Sequence, residues 1–257
     1  MKDIIEAIIL GIVQGLTEFL PVSSSGHLLL LQEIFGITDN TLFTTIVLHL
    51  GTLLAVVIYY FKDLVGLLEP QNRKTIWHLF VATIPACIAG LFLDDFFSSL
   101  GTSKILAFTF LFTAIMLLGT EIFVKKQHIQ RPIDTKTALI CGLTQCIALT
   151  PGISRSGSTI CGGLLSKANP TEVAKFSFFM SIPVILGSLI LELFKVELIS
   201  LNWLALGFGF IASFISGLLA IKIMMKIIGK CNFKWFSLYL FIISSLCIIQ
   251  NFVIKIW

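Results

Sequence analysis

Charge is what this sequence has least of. Only 12% of its 257 residues are Asp, Glu, Lys or Arg, against 56% hydrophobic, and the mean hydropathy is +0.99. That balance excludes a soluble globular domain and points to a polytopic membrane protein. Polar stretches long enough to fold as a separate soluble module are also missing, so a single membrane domain over 1–257 is the simplest count. Metal-ligand spacing is absent among the cysteines. Cys87, Cys141, Cys146, Cys161, Cys231 and Cys247 nearly all lie in apolar stretches without partnering histidines, where a thiol behaves as a small packing residue. A cleaved signal peptide is not expected either. Lys2, Asp3 and Glu6 precede an apolar run that leads into Gln14 and Glu18 instead of a small-residue cleavage site. The net charge of +4 does not imply nucleic acid, because the lysines sit in short loops between apolar segments, where they act as orientation signals.

What the chain does have is apolar length. A bilayer core takes about 20 apolar residues at about 1.5 Å each, and six segments qualify: 41–61, 76–93, 104–124, 174–194, 203–228 and 235–257. Two further regions, 4–35 and 138–165, are each cut by a polar break that leaves the second part too short to span. Non-helical backbone at membrane depth is tolerated only where protein or a wet cavity surrounds it. Both regions are therefore predicted to be re-entrant helical hairpins, with Pro21 and Pro151 ending the inbound helices and the serine clusters capping the outbound ones.

On that count the basic loops 62–75, 125–137, 166–175 and 222–234 fall on one face, which the positive-inside rule makes cytoplasmic. Lys2, Lys104, Lys195 and Lys255 fall opposite with Asp39, Asp94, Asp95 and Glu197, so both termini are expected outside. At an offset of 131, Ala7, Gly11, Gln14, Ser23, Ser25 and Gly26 match Ala138, Gly142, Gln145, Ser154, Ser156 and Gly157. The fold expected is an all-α integral membrane protein, six spanning helices plus two re-entrant hairpins, in two repeats, 1–124 and 125–257. Each repeat holds three spans, an odd number, so the second is inverted. Inverted repeats bring their broken helices together near the midplane, which would set Glu18 and His27 opposite Arg155.

Arg155 is the sharpest residue, since an arginine at mid-membrane costs about 2.5–3.5 kcal/mol on insertion scales and so calls for an anion or a wet cavity. Its planar fork suits phosphate, and the backbone N–H groups around Ser154, Ser156 and Gly157 at a helix start form an anion site of their own. The plainer reading is a structural ion pair with Glu18. Gln14 and Glu18, four apart, share a helix face; Glu18 can ligate a divalent metal, accept a proton or orient water, and Gln14 can add a neutral oxygen. Ser23, Ser24 and Ser25 lead into His27, so a hydroxyl and an imidazole can meet as an activated nucleophile, or the histidine can protonate a leaving phosphate. Helix capping and a satisfied buried histidine are the plainer alternatives. His49, His78 and His128 lack comparable neighbours and read as structural or loop residues. Together the acid, the Ser/His set, the arginine and two helix starts describe a site for a phosphorylated lipid head group.

Gln14-Gly-Leu-Thr-Glu18-Phe-Leu-Pro-Val-Ser-Ser-Ser-Gly-His27 and Pro151-Gly-Ile-Ser-Arg155-Ser-Gly-Ser-Thr159 resemble the two motifs of the undecaprenyl-diphosphate phosphatase family, the membrane enzymes linked to bacitracin resistance, and the resemblance runs the full length. It implies removal of the terminal phosphate of undecaprenyl diphosphate, a divalent cation (Mg²⁺ or Ca²⁺) and a site opening outward. It also implies Glu18 as essential acid, Ser24 and His27 as nucleophile and base, and Arg155 as diphosphate clamp. Ser23, Ser25, Gly26, Ser154, Ser156, Gly157 and Thr159 complete the motifs and are assigned to substrate binding, with Glu18 and Gln14 as metal ligands. Many members carry a second glutamate where this chain has Gln14, a departure that weakens a two-carboxylate metal site and favours a single-acid role for Glu18. The vanadium-peroxidase-like lipid phosphatases share Ser24-Ser25-Gly26-His27, but Lys125 stands one residue too close to Arg131-Pro132 for their first motif and Cys161 occupies the place of their late histidine. The rival function is a transporter or flippase for a phosphorylated lipid. A homodimer is left open, because lipid-facing and subunit-facing surfaces read alike.

Overall fold

The computed structural model describes residues 1–38, 41–126, 131–193 and 201–254. Asp39, Lys195, Glu197, Lys255 and His128 lie outside them. Among the described residues the chain is built of α-helices: α1 (Lys2–Phe19), α2 (Ser24–Phe35), α3 (Thr41–Tyr59), α4 (Phe61–Gly66), α5 (Arg73–Ser99), α6 (Ser103–Lys125), α7 (Thr135–Ile147), α8 (Arg155–Leu165), α9 (Pro170–Leu193), α10 (Trp203–Ile227) and α11 (Lys234–Ile249). Six of these, α3, α5, α6, α9, α10 and α11, are long and apolar enough to cross a membrane. They correspond to the six segments expected, with one change of boundary. α5 does not stop at 93; non-helical backbone at Leu93 (φ −124°, ψ 16°) kinks it, and the helix continues to Ser99. Asp94 and Asp95, expected beyond the span on the outer face, lie on that last stretch of helix.

Small residues set the helix contacts. With no hydrophobic drive between helices in lipid, close backbone approach and hydroxyl hydrogen bonds do the joining. A Cβ on Gly11 would run into the Gly209 carbonyl of α10, and one on Gly51 of α3 would lie 2.7 Å from the Phe210 carbonyl, so α10 is held between α1 and α3. Ser213 Oγ donates to the Leu48 carbonyl at 2.7 Å. Ser237 and Ser244 of α11 donate to the Ala114 and Ala107 carbonyls of α6 at 2.7 and 2.6 Å. Gly142 of α7 lies against the Ala82 carbonyl of α5 as Gly11 lies against Gly209. The main core gathers Phe19, Phe110, Phe178 and Phe233, while Phe80, Phe108, Ile115 and Ile215 point outward, as lipid-facing side chains do.

The two ends of the bundle differ in charge. At one, Lys125, Lys167 and Lys230 line a cavity, and Lys62 and Lys175 line another with Pro132. Arg131 N donates to the Lys167 carbonyl and Asn169 N donates to the Arg131 carbonyl, each at 2.9 Å, so the chain entering α7 meets the chain leaving α8 at this basic end. At the other end Asp3, Ile37, Thr44 and Asn202 share a cavity, and Asn202 Nδ2 donates to Asp3 Oδ2 at 3.1 Å. The start of α1 thus lies beside the exit of α2. The turns that break the two pairs lie against one another.

Candidate active site

Each tip follows from its local sequence. A residue before proline avoids the helical region, and Leu20, before Pro21, takes φ −77° and ψ 146°, ending α1 at Phe19. Glu18 is left in the last turn, where the helix dipole disfavours a negative charge. The chain then turns to Ser23, a non-glycine residue at φ 71°, whose side chain caps α2 by accepting from Gly26 N. The second tip differs. α7 ends at Ile147, well before Pro151, because Ala148, Leu149 and Thr150 donate to carbonyls three residues back and tighten the chain. Pro151 therefore does not end the inbound helix as expected. Gly152 at φ 89° carries the turn, and Ser154 caps α8 by accepting from Gly157 N at 3.0 Å.

The tips touch where side chains are missing. A Cβ on Gly26 would lie 2.8 Å from Gly152 Cα, and one on Gly157 would lie 3.3 Å from Pro21 Cβ. Ser156 Oγ donates across the joint to the Leu20 carbonyl at 3.1 Å. Gly26, Gly157 and Ser156 thus join the hairpins to one another. Thr159 is committed elsewhere, to the Arg155 carbonyl at 2.9 Å and to Ser177 Oγ of α9 at 2.6 Å. Ser25 Oγ lies 3.4 Å from Ser23 Oγ.

The joint brings Glu18 and Arg155 together. Arg155 Nη2 donates to Glu18 Oε1 at 2.5 Å, with the two side chains 15% and 4% exposed. The other carboxylate oxygen accepts from Ser24 Oγ at 2.5 Å and from Gln14 Nε2 at 3.0 Å. His49 Nε2 stands 3.8 Å from the same oxygen. Two buried atoms in this cluster have no protein partner, Arg155 Nη1 and Gln14 Oε1. The first is a cationic donor free for an anion's oxygen; the second is a neutral oxygen free for a donor or a cation.

The expected Ser24–His27 pair does not form. His27 Nδ1 is 2.7 Å from the Ser23 carbonyl and Nε2 is 2.8 Å from the Tyr239 hydroxyl. A carbonyl only accepts, so Nδ1 carries the proton and Nε2 accepts from Tyr239. The Tyr239 ring stacks on the imidazole at 5.6 Å and Phe110 meets its edge at 5.1 Å. The backbone of Ser23 is the cause, since it brings its carbonyl onto the imidazole while the next residue reaches Glu18.

Sequence reasoning passed over two residues here. His49 reads as structural beside no motif, yet an ionisable group well inside an apolar span was signal enough. Tyr239 carries no sequence signal, for its partner is reached only through the packing of α11. His78 lines the cavity at the basic end.

A divalent cation finds a thin donor set. Among the described residues no three of His, Cys, Asp and Glu cluster to hold a metal, and the site offers one carboxylate plus the unpaired Gln14 Oε1. Mg²⁺ is commonly bound by one or two carboxylates together with substrate phosphates, and the set fits a cation that takes further oxygens from a diphosphate.

The family described as "Bacitracin resistance protein BacA" matches residues 7–246. A protein of Alkaliphilus metalliredigens named undecaprenyl-diphosphatase is 41% identical over 95% of this chain and 97% of its own. Proteins of the same name from Carboxydothermus hydrogenoformans and Methanosphaera stadtmanae are 38% and 37% identical, over 93% and 99% of this chain and 94% and 100% of theirs.

Proposed function

The chain belongs to the bacitracin resistance BacA family, and from that premise we propose that the cluster of Glu18, Ser24 and Arg155 is where it hydrolyses undecaprenyl diphosphate to undecaprenyl phosphate and inorganic phosphate. The protein is a membrane-embedded polyprenyl-diphosphate phosphatase, an activity that returns the carrier lipid to cell-wall synthesis. One observation carries the site: a half-buried serine hydroxyl rests on a buried carboxylate beside an arginine with a free donor. Translocation alone would need no hydroxyl held on a carboxylate.

Ser24 Oγ attacks the terminal phosphorus and its proton passes to Glu18 Oε2. The new O–P bond forms as the anhydride P–O bond breaks, and undecaprenyl phosphate leaves. Water then attacks the phosphoserine; Glu18 returns its proton to the Ser24 oxygen, and inorganic phosphate departs. Arg155 and the backbone N–H groups opening α2 and α8 face the charge that builds on the phosphoryl oxygens, the largest expected contribution to rate. His27, bound to Ser23 and Tyr239, positions the Ser23–Ser24 turn. A divalent cation held by Glu18 and Gln14 with the diphosphate would supply further neutralisation of the phosphate charge.

The same reading places α1–α2 and α7–α8 as re-entrant hairpins of two inverted repeats, 1–124 and 125–257, in a bacterial inner membrane. The basic end then faces the cytoplasm, and the site opens to the periplasm. Matching caps at Ser23 and Ser154, and matching close approaches at Gly11 and Gly142, support the repeat.

The test is phosphate release from undecaprenyl diphosphate by purified protein in detergent. Arg155→Ala and Glu18→Ala are each expected to lose about 10²–10³-fold in kcat, and an acid quench is expected to trap phosphate on Ser24. Release undiminished in both variants would overturn the site; a quench without phosphoserine would remove the covalent role of Ser24.

A further inference from the structure

We propose that the groove between α1, α2 and α11 holds the first isoprene units of the substrate's prenyl chain, an inference that rests on the phosphatase reading above. The groove encloses about 400 Å³ and is lined by Leu16 of α1, Leu30, Leu31 and Ile34 of α2, and Ile243 and Leu246 of α11. Its other lining residues include Thr17, His27, Tyr239 and Cys247. The first three have partners: Thr17 Oγ1 donates to the Val13 carbonyl at 2.6 Å, and Tyr239 and His27 bind each other at 2.8 Å. Cys247 adds a thiol that packs as a small hydrophobe. Such a wall suits a hydrocarbon occupant and offers a polar one little.

The groove is joined to the reacting centre through one helix face. Ser24, His27, Leu31 and Ile34 follow one another at spacings of three and four residues, which places them along a single stripe of α2. At 1.5 Å per residue, Leu31 lies roughly 10 Å along the axis from Ser24. A lipid whose terminal phosphate meets Ser24 therefore finds apolar wall within the next turns of the same helix. The His27–Tyr239 pair stands between the two regions, as a polar seam separating the charged site from the hydrocarbon. A second apolar groove, among Ala86, Gly90, Leu149, Pro183 and Gly187, has no such link, because it meets the second hairpin at Leu149 and not at a reacting group.

The experiment uses full-length protein in detergent and a methylene-bridged undecaprenyl diphosphate analogue carrying a diazirine on its second isoprene unit. Labelling is expected on 27–34 and 239–247, competed away by undecaprenyl diphosphate. Ile243→Trp and Leu31→Trp, which fill the groove, are expected to raise KM for undecaprenyl diphosphate about tenfold with kcat within about twofold of wild type. Inhibition by inorganic diphosphate, which has no chain to place, should stay unchanged. Label at Gly90 or Gly187, label that substrate does not displace, cross-links to a second copy, or an unaltered KM in both variants would each overturn the groove assignment. Labelled groove residues in a wild-type protein that releases no phosphate would instead sink the phosphatase reading and leave the groove standing.

Discussion

Glu18→Gln is the most demanding test of the site because it changes charge at nearly constant shape. The carboxylate accepts three hydrogen bonds, from Arg155, Ser24 and Gln14. With an amide in its place, one oxygen can still accept from Arg155, but an NH₂ group would face Gln14 Nε2 and the Ser24 hydroxyl. Gln14 can turn its amide over, bringing its unpaired Oε1 to the new donor, and Ser24 can rotate to accept. What cannot be mended locally is the charge: Arg155 stays buried without a counter-ion, and breaking one side of a buried pair costs roughly 3–5 kcal/mol. Ser24 also loses the carboxylate base to which its hydroxyl is bound, a loss of about 10²–10⁴-fold in the chemical step. Single-turnover phosphate release and thermal unfolding in detergent read the two effects separately. Glu18→Gln combined with Arg155→Met should regain most of the stability and none of the activity. A single variant that melts with wild type and turns over within about fivefold of it would refute the reasoning, since by that result neither the pair nor the base matters.

Other outcomes follow from single contacts. Gly152→Ala should lower the melting temperature sharply, because φ 89° disfavours a side chain and the new Cβ would overlap the Thr109 hydroxyl; adding Thr109→Ala should recover only part of the steric cost, since the Thr109 Cβ itself lies 2.9 Å from the new atom, and a wild-type melt in the single variant would contradict this account. Tyr239→Phe leaves His27 Nε2 buried without its donor, costing about 1–3 kcal/mol, while kcat should stay within about tenfold; a loss as deep as that of Glu18→Gln would put His27 back in the proton path. Gln14→Glu adds a second carboxylate beside Glu18, so the Mg²⁺ concentration giving half-maximal activity should fall about tenfold, ligand charge being what tunes such affinities. An unchanged or higher requirement would show that Gln14 Oε1 does not meet the cation.

Fold and site were legible in the sequence to different depths, for physical reasons. Apolar length is a one-dimensional quantity, and the six long helices could be read from it. The serine caps at Ser23 and Ser154 were legible for the same reason: a cap is satisfied within a few residues of itself. The pairing of Glu18 with Arg155 needed one further step, that two buried opposite charges in lipid must find each other. The partner of Ser24 could not be read. It depends on the backbone of Ser23, whose carbonyl takes the imidazole away, and on Tyr239, more than two hundred residues later, which takes the other ring nitrogen. The kinked continuation of α5 past Leu93 was hidden by two aspartates that marked the end of the apolar run. His49 was overlooked only because it stood outside a motif.

The placement of Glu18 ties folding to catalysis. At the end of α1 the backbone dipole repels a carboxylate, whereas the opening turns of α2 and α8, brought against it by the glycine joint, present the attractive ends of their own dipoles. With the tips apart, Glu18 would sit at the wrong end of one helix and Arg155 would be an unpaired cation in an apolar bundle. Each charge therefore has its partner only when the joint is closed. That mutual dependence leaves the arginine donor and the serine hydroxyl in place before substrate arrives, so little reorganisation remains when phosphate charge develops. It also means that variants gaining stability by replacing both charges with apolar side chains should be easy to obtain and catalytically dead, the trade expected where a strained polar site is held for function.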